Sequence, residues 1–482
     1  MLHANSINVK PKQHKISNNS KIRIAYYTPM LGNRIDSSST EKIFNQNFKK
    51  VCEMIDPEDF SMANIVIVSM PDLKRLPERD YRTHRKEQLW LFYTEESPHN
   101  TYKYYVKNNP KQLFNTTIFD DWFNLTSTLK PESDFHIQYK GYRIKQEIVV
   151  LLKDKLNYSL PSLVSNESSL TVNLSLSNLT ILSNVLISEI YARQDALKSN
   201  CPHGCNRQLS EQIYERLQKY LPSLDYTTEK TKLIAWFVSN CNTHSRREEY
   251  VNELKKHVPV DIYGDCSWHL KRRYECTKWI NKPENCTKKL LKQYKFYLSF
   301  ENSQCDTYIT EKFWSHGLGY NGQIAIVPIV SGAKKEQYEK ISINNSFIHV
   351  DDFKTSKELA NYLLYLDKNN TAYNKYLAWK SVYDIEDHYS PTRDMHSSVC
   401  LLGHYQRLHD QQTRNAQEHN QYLMNKIKRI FSIDEINLKN FNWETSKTNL
   451  IRISQFYSIK TCWDIGYPNL LQRFYNFFFT WN

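Results

Sequence analysis

From residue 232 onward, short apolar runs alternate with amphipathic stretches, and this alternation restricts the fold more than any other feature of the chain. Strand-like KLIAWFVSN (Lys232–Asn240) is followed by helix-like RREEYVNELKKH (Arg246–His257) and then by VPVDIYG (Val258–Gly264). YKFYLSFENS (Tyr294–Ser303), helical ITEKFWSHGL (Ile309–Leu318), QIAIVPIVSG (Gln323–Gly332) and SFIHVDDF (Ser346–Phe353) continue the pattern. A last helix begins at Thr355, with Leu359, Tyr362, Leu363 and Leu366 on one face and Thr355 with Glu358 as a capping box. Such alternation predicts a doubly wound α/β domain whose ligands sit at the carboxyl ends of parallel strands. The loops after Asn240 and after Ser303 are therefore where chemistry is expected.

The first part carries similar strand-sized runs, KIRIAYY from Lys21, ANIVIVSM from Ala63 and LWLFYTEES from Leu89, each ending in a polar loop. The expected organisation is a polar segment over 1–20, a first α/β domain over 21–225, a second over 230–408 and an extension over 409–482. Within the first, a Ser/Asn-rich stretch near 157–180 reads as an exposed insertion, and the Pro- and charge-containing stretch near Lys219–Lys232 as a linker. The extension offers a polar helical run and an aromatic end, FYNFFFTWN, without chemistry of its own.

Composition narrows the partners. With 64 Lys+Arg against 51 Asp+Glu the formal charge is +13, which favours anionic ligands without choosing among them. Only 10 glycines are present, which argues against a Gly-rich dinucleotide loop. No run approaches the roughly 20 apolar residues of a membrane-spanning helix, and the first twenty residues lack a secretory apolar core. Ten cysteines, five of them between Cys241 and Cys305, suit a disulfide framework and hence an oxidising lumen. Asn-x-Ser/Thr sequons begin at Asn18, Asn115, Asn124, Asn157, Asn166, Asn173, Asn178, Asn285, Asn344 and Asn369, in keeping with that compartment.

Three constellations carry possible chemistry. FENSQCDTYITEK (Phe300–Lys312) follows a buried strand and is expected to open a helix whose amides favour an anion. There Glu311 can accept from ribose hydroxyls, Lys312 can neutralise a diphosphate, and Asn302 and Tyr308 can add contacts; a capped helix with solvated charges fits the same residues. Arg247, in SNCNTHSRREEY, is a second cation just past a strand end, with Arg246 as its competitor. TEESPHNT places Glu95 and Glu96 at a strand end beside His99, where a carboxylate can act as a general base or remain a solvated surface group. Metal ligation finds little support: Asp351 and Asp352 are adjacent, and CPHGC (Cys201–Cys205) lacks a second ligand pair and reads as a local disulfide.

These pieces, in this order, resemble the α1,3-fucosyltransferase family, whose hallmark is FxFENSxxxDYxTEKxWxxxLxxxxxPIVxG. Here the chain reads FYLSFENSQCDTYITEKFWSHGLGYNGQIAIVPIVSGA, and LWLFYTEESPHNT and FNLTSTLKPESDF are similar to the family's ESPxHT and FNxTxxYRxxSD. The resemblance covers roughly residues 22–142 and 230–410. It implies a GT-B fold, two Rossmann-like α/β domains with the acceptor handled mainly by the first and GDP-fucose by the second, and an inverting reaction. Carried over by motif, Glu96 is the general base, Arg247 and Lys312 hold the diphosphate, Glu311 binds the ribose, and Asn302 and Tyr308 complete the donor pocket. No cofactor or metal is required, a divalent ion being at most stimulatory.

The cysteines after SNC, VDIYGDC and FENSQC are most similar to the core α1,3 branch, which fucosylates the Asn-linked GlcNAc of glycoprotein N-glycans. A Lewis-type enzyme acting on lactosamine and a catalytically silent, lectin-like secretory protein of the same fold stay open as alternatives. Nucleic acid is not an expected partner, because no aromatic-and-basic face is evident. The resemblance implies the Golgi lumen and a type II membrane protein, although the chain shows no anchor. It departs from the family in CLLG, where Gly403 stands for the second cysteine of a Cys-x-x-Cys, and in the length of HGLGYNGQIAIVPIV.

Overall fold

The computed structural model describes residues 21–156 and 211–403, apart from 31, 45–47, 50–51, 77–87, 103–104, 106–115, 138, 222–223, 268–282, 387–394, 397–398 and 401–402, together with Cys462. The polar segment 1–20, the insertion near 157–180, CPHGC and the extension 409–482 other than Cys462 lie outside these residues.

Two parallel sheets dominate. The first contains β1 (Ile22–Tyr26), β2 (Cys52–Met54), β3 (Ile65–Ser69), β4 (Leu89–Tyr93), β5 (Leu125–Thr128) and β6 (Phe135–His136), in the order β2-β1-β3-β4-β5-β6. A separate antiparallel pair joins β7 (Gly141–Ile144) to a strand near the end of the described chain. The second sheet contains β8 (Lys232–Phe237), β9 (Val260–Tyr263), β10 (Tyr294–Phe300), β11 (Val327–Ser331) and β12 (Ile348–His349), in the order β12-β11-β10-β8-β9. The strand that pairs with β7 is β13 (Tyr383–Glu386). Two Rossmann-like α/β units in a GT-B arrangement are thus present.

The centres of both sheets are covered on both faces, so their strands read as unbroken apolar runs. All of β3, β4, β10 and β11 is buried. Each fully buried Ile, Phe or Leu in such a strand contributes about 1.5–3 kcal/mol. Ile65 and Leu91 face one side of the first sheet while Val66 and Trp90 face the other, as a period of two requires.

Four helical pieces matter for the site and its support: α1 (Pro98–Thr101), α2 (Gln146–Leu156), α3 (Arg247–Leu254) and α4 (Ser356–Lys368). In α4 the expected face is inward, with Leu359, Leu363 and Leu366 buried. Its capping box is only half formed: Thr355 accepts from the Glu358 amide, but Glu358 reaches back to the Lys354 amide rather than to that of Thr355.

The helix expected from Ile309 does not begin there. Residues 301–310 run as an irregular loop, followed by a single π-helical turn over Lys312–Gly317 with Glu311 as its N-cap. The Glu301 side chain accepts the Thr310 amide at 2.8 Å and takes over a backbone group that an earlier helical turn would need.

The end of the described chain returns to the first sheet, where Met395, Val399 and Cys400 join its core and Cys400 is disulfide-bonded to Cys52. A Cβ on Gly403 would lie 2.7 Å from Ile22 Cγ2 and 2.9 Å from Ile65 Cδ1. A side chain at 403 therefore needs the Ile22 and Ile65 side chains to move. Cys241–Cys266 and Cys305–Cys462 are also bonded. Among the sequons, Asn344 is exposed in a turn, whereas Asn124 is buried and accepts from the Trp90 amide at 3.0 Å. Among the described residues no helix is long and apolar enough to cross a membrane.

Candidate active site

The loops that follow β4 and β10 meet. Ser97, the N-cap of α1, donates to Ser303 across 2.8 Å, and both hydroxyls are buried. One residue earlier, Glu96 Oε2 lies 3.0 Å from the Tyr308 hydroxyl and 3.2 Å from Asn100 Nδ2. Tyr308 is also 2.9 Å from Asn302 Oδ1. Glu96, Asn302 and Tyr308, expected from different halves of the sequence, are thus one cluster.

Beside it stands a charged centre. Lys312 Nζ is 3.1 Å from Glu301 Oε2, 3.0 Å from Glu311 Oε1 and 3.0 Å from Thr310 Oγ1. Burial works against the Lys312 charge, but Glu301 and Glu311 outweigh it and hold the ammonium well above its usual range. Burial likewise works against the Glu311 carboxylate, and Lys312 overrides it, bringing its pKa to about 2. Glu301, wholly buried, is raised by burial in spite of Lys312. The π-helical turn starts at Lys312 with Glu311 as its N-cap, so this side-chain cation stands at the start of that turn.

Glu301 was not among the sequence-derived site residues. Its signal is a carboxylate directly after the seven-residue buried strand β10, where a charge survives only with a counter-ion. Gly332 makes room for it: a Cβ there would lie 2.6 Å from Glu301 Cγ. The glycine ending PIVSG thereby acquires a physical reason.

Arg247 starts α3 and is buried, with its guanidinium turned to the strand ends. It donates to the Phe300 carbonyl at 2.6 Å and the Asn240 carbonyl at 3.1 Å and lies over the Trp236 ring. It is near enough to Lys312 for the two charges to repel. The competitor Arg246 takes a left-handed φ of 50° and pairs with Glu249 at the surface. The loop after Asn240 is stitched to the same place, since Ser245 donates its amide to the Asn302 carbonyl and its hydroxyl to that of Glu301.

Glu95 accepts from the Tyr93 and Tyr139 hydroxyls. Burial, together with the charges of Glu311 and Glu96, raises its pKa. Tyr139 is a further residue that sequence reasoning missed, and burial and the surrounding carboxylates keep its phenol protonated. His99 stacks on His244 from the opposite unit at 4.4 Å. Among the described residues the one group with metal-ligand spacing is His99, Cys305 and Cys462, in which the two sulfurs are joined to each other.

Two parallel α/β units that meet at the carboxyl ends of their strands, with a carboxylate of one facing a lysine-centred cluster of the other, define a two-domain protein with its site in the cleft. The chain matches the family model "Fucosyltransferase, N-terminal" over residues 19–140 and "Glycosyltransferase family 10 (fucosyltransferase) C-term" over residues 227–457. It belongs to glycosyltransferase family 10.

Among curated relatives, "Glycoprotein 3-alpha-L-fucosyltransferase A" of Drosophila melanogaster is 42% identical over 170 residues, 35% of this chain and 32% of that protein. "Alpha-(1,3)-fucosyltransferase fut-1" of Caenorhabditis elegans is 42% identical over 156 residues, 32% of this chain and 33% of its own length. "3-galactosyl-N-acetylglucosaminide 4-alpha-L-fucosyltransferase FUT3" of Bos taurus is 44% identical over 151 residues, 31% of this chain and 37% of that one. The matched region thus spans about a third of the length of these relatives. A solved structure titled "Crystal Structure of alpha1,3-Fucosyltransferase with GDP-fucose" aligns with a TM-score of 0.39 at 15% identity, covering 81% of this chain and 94% of that one.

Proposed function

We propose that this protein is an inverting α1,3-fucosyltransferase that moves L-fucose from GDP-fucose to a GlcNAc hydroxyl of glycoprotein N-glycans, with the core GlcNAc as preferred acceptor. The observation that carries the reading is the approach of Glu96 to the Tyr308–Asn302 pair of the other unit. In this reading Glu96 takes the proton of the acceptor hydroxyl as its oxygen attacks the anomeric carbon of fucose. The bond from that carbon to the diphosphate oxygen breaks, and GDP leaves with the electron pair. Lys312, held protonated by its two carboxylates, and Arg247 neutralise the charge that develops on the diphosphate. Glu311 accepts from the ribose hydroxyls, and Asn302 and Tyr308 complete the donor pocket. No cofactor is required, and a divalent ion is at most stimulatory.

The core acceptor is favoured by the name of the Drosophila relative, a glycoprotein 3-fucosyltransferase, whereas the bovine relative is named for a galactosyl-N-acetylglucosaminide. Three disulfides among the described residues support an oxidising compartment, and the Golgi lumen is the proposed location.

The test offers GDP-fucose with an N-glycan core glycopeptide and, separately, free lactosamine, and reads the linkage by mass spectrometry after glycosidase digestion. Transfer to the glycopeptide alone is expected. Transfer to lactosamine alone replaces the acceptor assignment, and GDP binding without transfer to either replaces the enzyme reading with a silent fold.

A further inference from the structure

We propose that Asn369 carries an N-linked glycan whose first GlcNAc packs on the exposed ring of Tyr365, on the side of the second unit away from the cleft. This rests on the oxidising lumen proposed above as the compartment.

Asn369, Asn370 and Thr371 form a sequon set between two helices. Asn369 ends α4 and caps the helix that follows, Asn370–Lys375, its Oδ1 accepting the Ala372 amide at 3.0 Å. Nδ2, the nitrogen that a glycan takes, lies 3.2 Å from the Tyr365 hydroxyl. Tyr365 is one turn earlier on α4, so the two side chains share a face. At 51% it is the most exposed large apolar side chain among the described residues. Tyr362 backs its ring from 6.1 Å with planes 31° apart. Tyr362 is held in turn by Phe353 at 5.4 Å and by a hydroxyl contact of 2.8 Å to Tyr376. An aromatic ledge thus stands open to water beside the acceptor nitrogen, and the C–H face of a pyranose is an apolar cover of matching size.

The surroundings leave room for a sugar. Asn370 and Thr371 are exposed, and Asn370 is engaged elsewhere, donating to Thr227 Oγ1 at 3.1 Å. The place is also clear of the cleft. Lys295, near the start of β10, donates its ammonium to the Asp367 carbonyl at 2.6 Å, and its own carbonyl accepts from the Tyr373 hydroxyl at 2.8 Å. Asn369 therefore lies by the amino ends of the strands, whereas Glu301, Asn302 and Lys312 follow their carboxyl ends.

The covalent step is a displacement on a lipid-diphosphate-linked oligosaccharide, catalysed by a transferase of the lumen. Nδ2 of Asn369 bonds to C1 of the first GlcNAc as the C1–O bond breaks. The lipid diphosphate leaves with the electron pair, and Nδ2 gives up one of its two protons. Oδ1 is untouched, so the cap on the Ala372 amide survives the modification.

The test uses the full chain secreted from insect cells behind a cleavable signal peptide. The product is trimmed with an endoglycosidase that leaves a single GlcNAc and mapped by mass spectrometry of non-reduced peptides. Asn369 is expected to carry that remnant. Hydroxyl-radical footprinting then compares the wild type with Thr371→Ala, which removes the sequon but keeps Asn369 and its bonds. Tyr365 should oxidise several-fold more slowly in the wild type, both before and after trimming, because the first sugar is the cover. Tyr220, also exposed, should react alike in the two proteins. A bare Asn369 in a chain with Cys52–Cys400 and Cys241–Cys266 formed overturns the proposal and leaves the lumenal reading standing. An occupied Asn369 with equal oxidation of Tyr365 in both proteins overturns the packing. Free thiols at those four cysteines overturn the lumenal reading and the proposal with it.

Discussion

Ser97 and Ser303 share a buried hydrogen bond of 2.8 Å that joins the loop after β4 to the loop after β10, one residue from Glu96 on one side and from Asn302 on the other. Both hydroxyls are buried, so removing either takes a hydrogen-bond partner from the other, although Ser97 also accepts from the Asn100 amide as the N-cap of α1. Ser97→Ala and Ser303→Ala should each cost about 1–2 kcal/mol in urea unfolding. The double variant should cost less than the sum, with about 1 kcal/mol of coupling. Additive costs mean that the bond does not hold the two units together.

Glu96→Gln keeps the shape of the side chain and both hydrogen-bonding neighbours but removes the acceptor for the sugar proton. Turnover should fall by roughly 10²–10⁴-fold, the range for general-base assistance, while GDP affinity by calorimetry stays within a few-fold of wild type. Near-normal turnover in a folded Glu96→Gln protein removes it as the base.

Lys312 has two duties that can be separated. It is the proposed cation for the diphosphate, and it is the counter-ion of Glu301, whose side chain has no exposure to solvent. Lys312→Met should lose GDP binding and also about 3–5 kcal/mol of stability, because it strands a buried charge. Glu301 already has a raised pKa in the fold, and losing Lys312 raises it further. A raised carboxyl gives stability that is present below its unfolded value and lost as pH rises through its folded one; wild type and variant lose it together up to the wild-type Glu301 value, so the deficit of Lys312→Met should grow at pH above that already raised value. Adding Glu301→Gln removes the stranded charge. The double variant should recover stability across that range yet still fail to bind GDP, and recovered binding would discard Lys312 as the diphosphate cation.

Strand–helix alternation was legible because periodicity is local: KLIAWFVSN and QIAIVPIVSG announce β8 and β11 within a few residues. FENSQCDTYITEK was read as a candidate anion-binding segment from its place after a buried strand, with a capped helix equally open, and the resemblance to a family added the proposed donor role. Its expected helix forms, but it begins at Lys312 rather than Ile309 and is π-helical, because the Glu301 side chain accepts the Thr310 amide at 2.8 Å and no local pattern signals that bond. The partnership of Glu96 with Tyr308 spans 212 positions and exists only after both sheets have formed. Arg247 was read as a cation just past a strand end with Arg246 as its competitor, and its burial and its hold on the Phe300 and Asn240 carbonyls depend on where β8 and β10 finish.

Cys52 and Cys400 lie 348 positions apart and both belong to the core of the first sheet. Their bond closes the chain around the second unit, so it restrains the unfolded state as a long loop does. Non-reducing peptide mapping should recover Cys52 with Cys400, Cys241 with Cys266 and Cys305 with Cys462. Paired replacement Cys52→Ala with Cys400→Ala should lower stability by about 2–5 kcal/mol. A variant that melts with the wild type means that the returning segment is held by Met395 and Val399 packing alone.

His99 and His244 stack at 4.4 Å with planes 14° apart, one ring from each unit. Burial, with His244 beside it, brings the His99 pKa down from 6.5 to about 4. Between those values the unfolded chain binds more protons than the folded one, so the sign is fixed: His99 makes stability rise as pH goes from 4 to 6.5 and adds no slope above that window. After allowance for its partial exposure the contribution is about 2 kcal/mol. His99→Phe keeps an aromatic face for His244 and removes the titrating nitrogen. Unfolding in urea at steps from pH 4 to 7 should give a wild-type curve steeper by that amount inside the window and parallel to the variant above it. Parallel curves throughout would mean that protonation of His99 is accommodated by the cleft, and that the stacked pair holds the units together without making their contact sensitive to pH.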